Sequence, residues 1–210
     1  MKLTLSFFFC SFFILAQAQN KIDSVVKQSR SSLAEGNVYL FCRGTTTKAG
    51  IVSNGFNQRD KNVSHVGIGY IENNKTSIYH VSDITDTSKS ALFVDSIHSF
   101  ISVPNISYFS IWVYNKKQDF LKFKRVCQKY KNKKILFDFK FEINNDALYC
   151  SELCVSILNE ISKFFSIKPI KILLQDNLYK LLLKRKEFIY YPADFFAGHK
   201  DFKKIFEIKL

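Results

Sequence analysis

Three observations along this chain predict an α+β fold. Alternating, β-rich runs occupy the middle, helical periods lie towards both ends, and Glu72-Asn73-Asn74-Lys75 makes a hairpin turn between two of the runs. Ile22 to Leu33 places Val25, Val26, Ser29 and Leu33 on one side of a short helix that stops at Gly36. Asn37 to Cys42 reads as a strand, and Gly44 to Lys61 as a polar loop. Val63 to Ile71 and Thr76 to Val81 are the strands of the hairpin. Leu92 to Ile101 fits neither period, whereas Ser107 to Tyr114 is a strand with Tyr108, Ser110, Trp112 and Tyr114 on one face. Gln118 to Tyr130 then switches to a helical stripe of Phe120, Phe123, Cys127 and Tyr130. Ile135 to Phe139 is a short strand, Cys150 to Phe164 an amphipathic helix, and Leu173 to Leu183 a second C-terminal helix.

The first residues read as a transport leader. Met1-Lys2 supplies a positive end, Leu3 to Leu15 an apolar run, and Ala16-Gln17-Ala18 a small-x-small cleavage pattern. Residues 1–18 are thus expected to be a signal peptide and 19–210 one domain, in the periplasm or secreted. The leader is too short for a permanent span. A net charge of +13 suits peripheral contact with anionic surfaces. No basic–aromatic recognition motif is present, so no nucleic-acid partner is expected. Hydrophobic residues make up 47% of the chain, enough for a substantial core.

After the leader four cysteines remain: Cys42, Cys127, Cys150 and Cys154. They form no CxxC pair, and with the histidines they match no compact metal motif; neither metal nor cofactor is expected. A disulfide between Cys42 and Cys127 stays open. Cys42, Cys127 and Cys154 fall at apolar positions of predicted elements and read as small hydrophobes. Cys150 differs, because it opens its helix. There the free backbone N–H groups push a thiol towards thiolate, and those of Cys150 and Ser151 are placed to hold an oxyanion.

His65 shares a strand face with Gly67 and Gly69, which leave room for another backbone or a substrate. Centring the hairpin on its turn sets Ile71 opposite Thr76, so His65 and His80 lie diagonally on one face. His80 can then orient His65 as the third member of a triad, with Asp83 as the competing orienter. His98 and His199 read as surface residues. Tyr149 is expected to flank the cleft. Glu152 serves either the helix dipole or recognition of a substrate amine.

These segments resemble the permuted papain-like cysteine hydrolases of the NlpC superfamily, the YiiX/YaeF/YebB-like group. The resemblance rests on Gly36-Asn37-Val38, Ser64-His65-Val66-Gly67-Ile68, Phe137-Asp138-Phe139-Lys140-Phe141, Tyr149-Cys150-Ser151-Glu152-Leu153 and Tyr191-Pro192-Ala193-Asp194. It implies a barrel-like antiparallel sheet with the cysteine helix packed against it, and histidine preceding cysteine in the chain. Cys150 would be the nucleophile, His65 the general base and then acid, and His80 the orienting residue. His80 departs from the glutamate that many relatives carry. The implied activity is an exported amidase or peptidase acting on cell-wall peptides or acylated amines. A lipid-directed acyltransferase or thioesterase, and a catalytically weak peptide-binding module, are the alternatives.

Overall fold

A computed structural model describes residues 20–210 apart from 84, 85, 87, 144 and 164, with the backbone alone at 182. The expected leader, residues 1–18, lies outside the described residues. Helix α1 (20–30) ends where Leu33 N–H donates to Arg30 O, and Gly36, at φ +81°, turns the chain into strand β1 (Tyr39–Thr45). Helix α2 (Lys48–Gly55) follows, then the hairpin β2 (His65–Glu72) and β3 (Lys75–Val81). Next come β4 (Leu92–Asp95), α3 (Ile97–Ile101), β5 (Ile106–Tyr114) and α4 (Phe120–Lys131). Two short strands, β6 (Leu136–Phe137) and β7 (Ala147–Leu148), precede α5 (Cys150–Ile161). The chain closes with β8 (Ile170–Leu173), α6 (Asn177–Leu183), β9 (Glu187–Tyr190) and β10 (Phe202–Lys209).

Six strands form one antiparallel sheet in the order β10-β5-β1-β2-β3-β4. Side chains alternate across it, so its two faces build two cores. Leu40, Cys42, Val66, Ile68, Tyr79 and Val81 pack with Leu153, Cys154, Ile157 and Leu158 of α5 and Phe123 and Cys127 of α4. On the other face, Tyr39, Phe41, Ile78, Phe109 and Ile111 meet Val25 and Val26 of α1 and Ile97, Phe100 and Ile101 of α3. Each such buried side chain contributes about 1.5–3 kcal/mol, which offsets the ordering entropy of the layers. Among the described residues the four cysteines are free thiols, and Cys42, Cys127 and Cys154 are buried in the α5-side core.

The hairpin has the expected register, with Ile71 opposite Thr76 and Ile68 opposite Tyr79. Asn73 and Asn74, at φ 50° and 58°, take the left-handed conformation that a two-residue turn requires. The room above Gly67 and Gly69 belongs to strand β3, not to a substrate. A Cβ on Gly67 would sit 2.7 Å from Ile78 Cγ2, and one on Gly69 would strike the Ser77 carbonyl.

Other expectations are corrected. The segment read as a loop holds α2, which starts where Thr47 Oγ1 accepts the Gly50 N–H at 3.1 Å. Its weak apolar stripe hides it from period reading. The ambiguous stretch is two elements, β4 and α3, divided at Ser96, whose hydroxyl accepts the Ser99 N–H at 3.1 Å. The chain ends in a strand where a helical end was expected. A register shift between Lys204 and Phe206 breaks the two-residue alternation of β10, and with it the signal. The cysteine helix stops at Ile161, short of Phe164, and the helix expected from Leu173 begins only at Asn177, behind β8.

Candidate functional site

Helix α5 starts at Cys150 with Tyr149 as N-cap, which offers no side-chain hydrogen bond. A Ser, Thr, Asp or Asn there would consume the first helical N–H groups. Without one, those of Cys150 and Ser151 act on the sulfur, as does the N–H of Val66 on β2. Part of Cys150 reaches solvent, and the protein crowded around the sulfur raises its pKa above the ordinary 9.0. The three N–H groups and the Arg43 guanidinium pull the other way and do not win. Helix position was expected to favour thiolate. Desolvation outweighs it, so the resting group is a thiol.

His65 opens β2, so the Val66 amide that meets the thiol is its immediate neighbour, and both His65 and Cys150 line one cavity. His65 Nε2 lies 2.9 Å from His80 Nδ1, and His80 Nε2 lies 3.0 Å from Asp95 Oδ2. The carboxylate can only accept, so the proton of neutral His80 sits on Nε2. Its Nδ1 must then accept, which places the His65 proton on Nε2. His65 Nδ1 is left with a free lone pair and the character of a base. Burial, then Arg43 and His80, hold His65 well below the usual imidazole range, so it is neutral at pH 7. Burial also lowers His80, against the opposing hydrogen bond from Asp95.

Sequence reasoning paired His65 with His80 and left Asp83 as competitor. The structure joins the two histidines, and Asp83 stands apart on the cavity wall. Two members of the cluster were missed. Asp95 reaches His80 because β4 sets it opposite Ile78, two residues along the same face, a relation no local pattern reports. Arg43 pairs with His65 across β1 and β2. It is buried, sends Nη1 to the Phe100 carbonyl at 2.6 Å, and lies 4.7 Å from the Phe100 ring centroid. A lone cation in an apolar strand was the available signal.

Two cavities meet at Cys150. One of about 460 Å³ sets Arg43, Ser64, His65 and Asp83 beside Val103, Pro104 and Phe137. A second, of about 350 Å³, lies against Phe56, Tyr179, Leu183, Phe188 and Tyr190 and shares Ala49 and Ser53 with the first. Tyr149, Phe139 and Phe141 border both. Tyr149 thus forms part of the wall of both cavities. Glu152 does not, since it is buried at 5% exposure and lines neither cavity. In the first turn of α5, it is enclosed by protein. Ser151 is tied down by its hydroxyl, which donates to the Tyr191 carbonyl at 2.7 Å.

Two further motifs serve as braces. Asp138 accepts N–H groups of Lys140 at 2.8 Å and Glu142 at 2.5 Å, folding the aromatic loop over the cleft. Asp194 accepts from the successive amides of Gln58, Arg59 and Asp60, fixing the turn after α2. His98 is exposed near Asp23, and His199 is half-buried beside Asp201.

No family model and no curated protein matches this sequence. Among solved structures, the metalloprotein yiiX from Escherichia coli O157:H7 matches with a TM-score of 0.61 at 11% identity. The match covers 83% of this chain and 98% of that one. The chain therefore has a YiiX-like fold. A metal does not fit the donors present: among the described residues no three His, Cys, Asp or Glu side chains converge on one point. The ring nitrogens of His80 are both spent within the relay.

Proposed function

We propose, on the premise of this YiiX-like fold, that the protein is a cysteine hydrolase of amide bonds with a permuted papain-like arrangement. The observation that carries the reading is the relay from Asp95 through His80 to His65, whose side chain lines the cavity that holds Cys150.

As the Cys150 sulfur attacks the substrate carbonyl, its proton passes to His65 Nδ1. The S–C bond forms, and the carbonyl oxygen becomes an oxyanion at the N–H groups of Cys150 and Ser151. The C–N bond then breaks as His65 gives the proton to the leaving amine. Water attacks the thioester, His65 accepts its proton, and that proton returns to the sulfur as the carboxylic acid departs. His80 steadies the transient imidazolium, with the Asp95 charge behind it.

The leader supports an enzyme working after export, in the periplasm or outside, where a charge of +12 (+13 less Lys2 of the leader) favours anionic surfaces. N-terminal sequencing of the exported protein should begin at Gln19. Among the described residues no helix is long and apolar enough to cross a membrane.

The chemistry is tested by alkylation and trapping. Iodoacetamide should modify Cys150 ahead of Cys42, Cys127 and Cys154, and the acylation of Cys150 by activated amides should slow at least about tenfold in His65→Ala. Mass spectrometry should find an acyl group on Cys150 after treatment with activated amides, and none on Cys150→Ala. Acylation indifferent to His65, or the absence of any acyl adduct on Cys150, would sink the hydrolase.

A further inference from the structure

We infer that the protein docks on anionic phospholipid bilayers through an apolar rim carried by α2, α6 and the Phe139 loop, with the lysines beside it meeting the headgroups. This gives the anionic surface favoured by the net charge a place on the molecule. It rests on that part of the proposed function and is independent of the chemistry at Cys150.

The rim begins with α6. Its Tyr179 and Leu183, one turn apart, line the cavity of about 350 Å³. Leu181, two residues on from Tyr179, falls on the opposite side of the helix and is 74% exposed, and Leu178 is 57% exposed. The helix is thus apolar on the side that packs and on the side that meets water, a pattern that calls for a second apolar contact. Val52 of α2 and Phe139 line the same cavity and also reach the surface, Phe139 at 62% exposure. Exposed apolar side chains scattered singly need no explanation, whereas a group around one mouth marks an interaction surface.

Charge selects the partner. Lys48 lies one turn before Val52 on α2, Lys140 follows Phe139, and Lys184 and Lys186 follow the last turn of α6. All four are exposed, and the ion pairs among the described residues use none of them. The nearby carboxylates are engaged. Asp176 accepts the Leu178 N–H at 2.7 Å, Glu142 pairs with Arg185 at 3.1 Å, and Glu187 with Lys171 at 2.8 Å. Two copies of the chain meeting here would set the free lysines against one another, which disfavours a dimer. An anionic wall polymer would satisfy the lysines and leave the leucines in water. A bilayer of anionic phospholipid satisfies both, because its phosphates take the ammonium groups while the apolar side chains enter the acyl boundary.

The experiment floats the exported chain with vesicles of phosphatidylcholine, or of equal parts phosphatidylcholine and phosphatidylglycerol. Partition onto the mixed vesicles should exceed that onto phosphatidylcholine by at least about tenfold and weaken as salt is added. Leu178→Ser with Leu181→Ser should lower it at least about tenfold, and so should Lys184→Glu with Lys186→Glu. The same charge change on α1, Lys21→Glu with Lys27→Glu, should cost less than about threefold, because α1 packs on the sheet face opposite α5. Alkylation of Cys150 at the parent rate shows that each variant is folded. In Leu181→Trp, brominated lipids should quench the added indole as it inserts; an unquenched indole overturns insertion. Cys150→Ala should bind as the parent does, so a failed hydrolase leaves the docking surface standing. If the α1 variant loses as much binding as the α6 variants, net charge alone acts and the rim is overturned. Equal partition onto both vesicles, or onto neither, overturns the anionic bilayer, as does a dimer in sedimentation that Leu178→Ser with Leu181→Ser dissociates.

Discussion

His80 donates its Nε2 proton to Asp95 Oδ2 at 3.0 Å, and this bond decides which nitrogen of His65 is basic. With the proton pinned at the Asp95 end, His80 Nδ1 accepts from His65 at 2.9 Å and frees His65 Nδ1. A histidine in the orienting position thereby acquires, through β4, the carboxylate that the strand β3 position itself lacks.

Asp95→Ala should lower kcat/KM by about tenfold or more and leave the fold intact, because Asp95 is only partly buried. Asp95→Asn can still accept the hydrogen bond, so it should lose less. The pair of rate constants, measured beside circular dichroism, checks this; equal activity in all three proteins counts against the relay.

Charge states predict an unusual pH profile. Burial raises the Cys150 thiol above 9.0 and lowers His65 well below 6.5, so neither is charged near neutrality in the free protein. Thiolate appears only as pH climbs through the raised thiol value. Iodoacetamide alkylation of the free protein should therefore keep rising above pH 9.0, with no inflection near 6.5. A flat plateau between about pH 5 and 8 would mark a resting thiolate–imidazolium pair and contradict the electrostatics.

Arg43 favours the thiolate and disfavours the imidazolium. Arg43→Met should raise the thiol further and let His65 move back towards 6.5. Alkylation at pH 8 should slow by about threefold to tenfold, and Arg43→Lys should restore part of the loss. Unchanged rates in both variants would remove Arg43 from the site.

Asp138 acts at one remove, by holding the loop that carries Phe139 and Phe141. Asp138→Ala leaves two backbone N–H groups without their acceptor and should cost about 1–3 kcal/mol locally. Limited proteolysis should cut at 139–146 faster than in the parent chain, with a higher KM and a nearly unchanged alkylation rate at Cys150. A loop as resistant as before would show that the brace is dispensable.

Local pattern was sufficient for much of this protein. The Asn73-Asn74 turn set the hairpin register, and the apolar stripe of α5 placed Cys150 at its start. From these the meeting of His65 and His80 was legible, since a two-residue period and a turn determine which side chains share a face. Asp95, Arg43 and the state of the thiol were not. Asp95 joins the relay through pairing between separate strands, Arg43 through its place opposite His65, and the thiol is governed by the protein packed around it. Periodicity reports neighbours within an element. Cross-strand partners, desolvation and the two cavities that meet at Cys150 exist only once the chain has closed on itself, and the tertiary structure alone decided them.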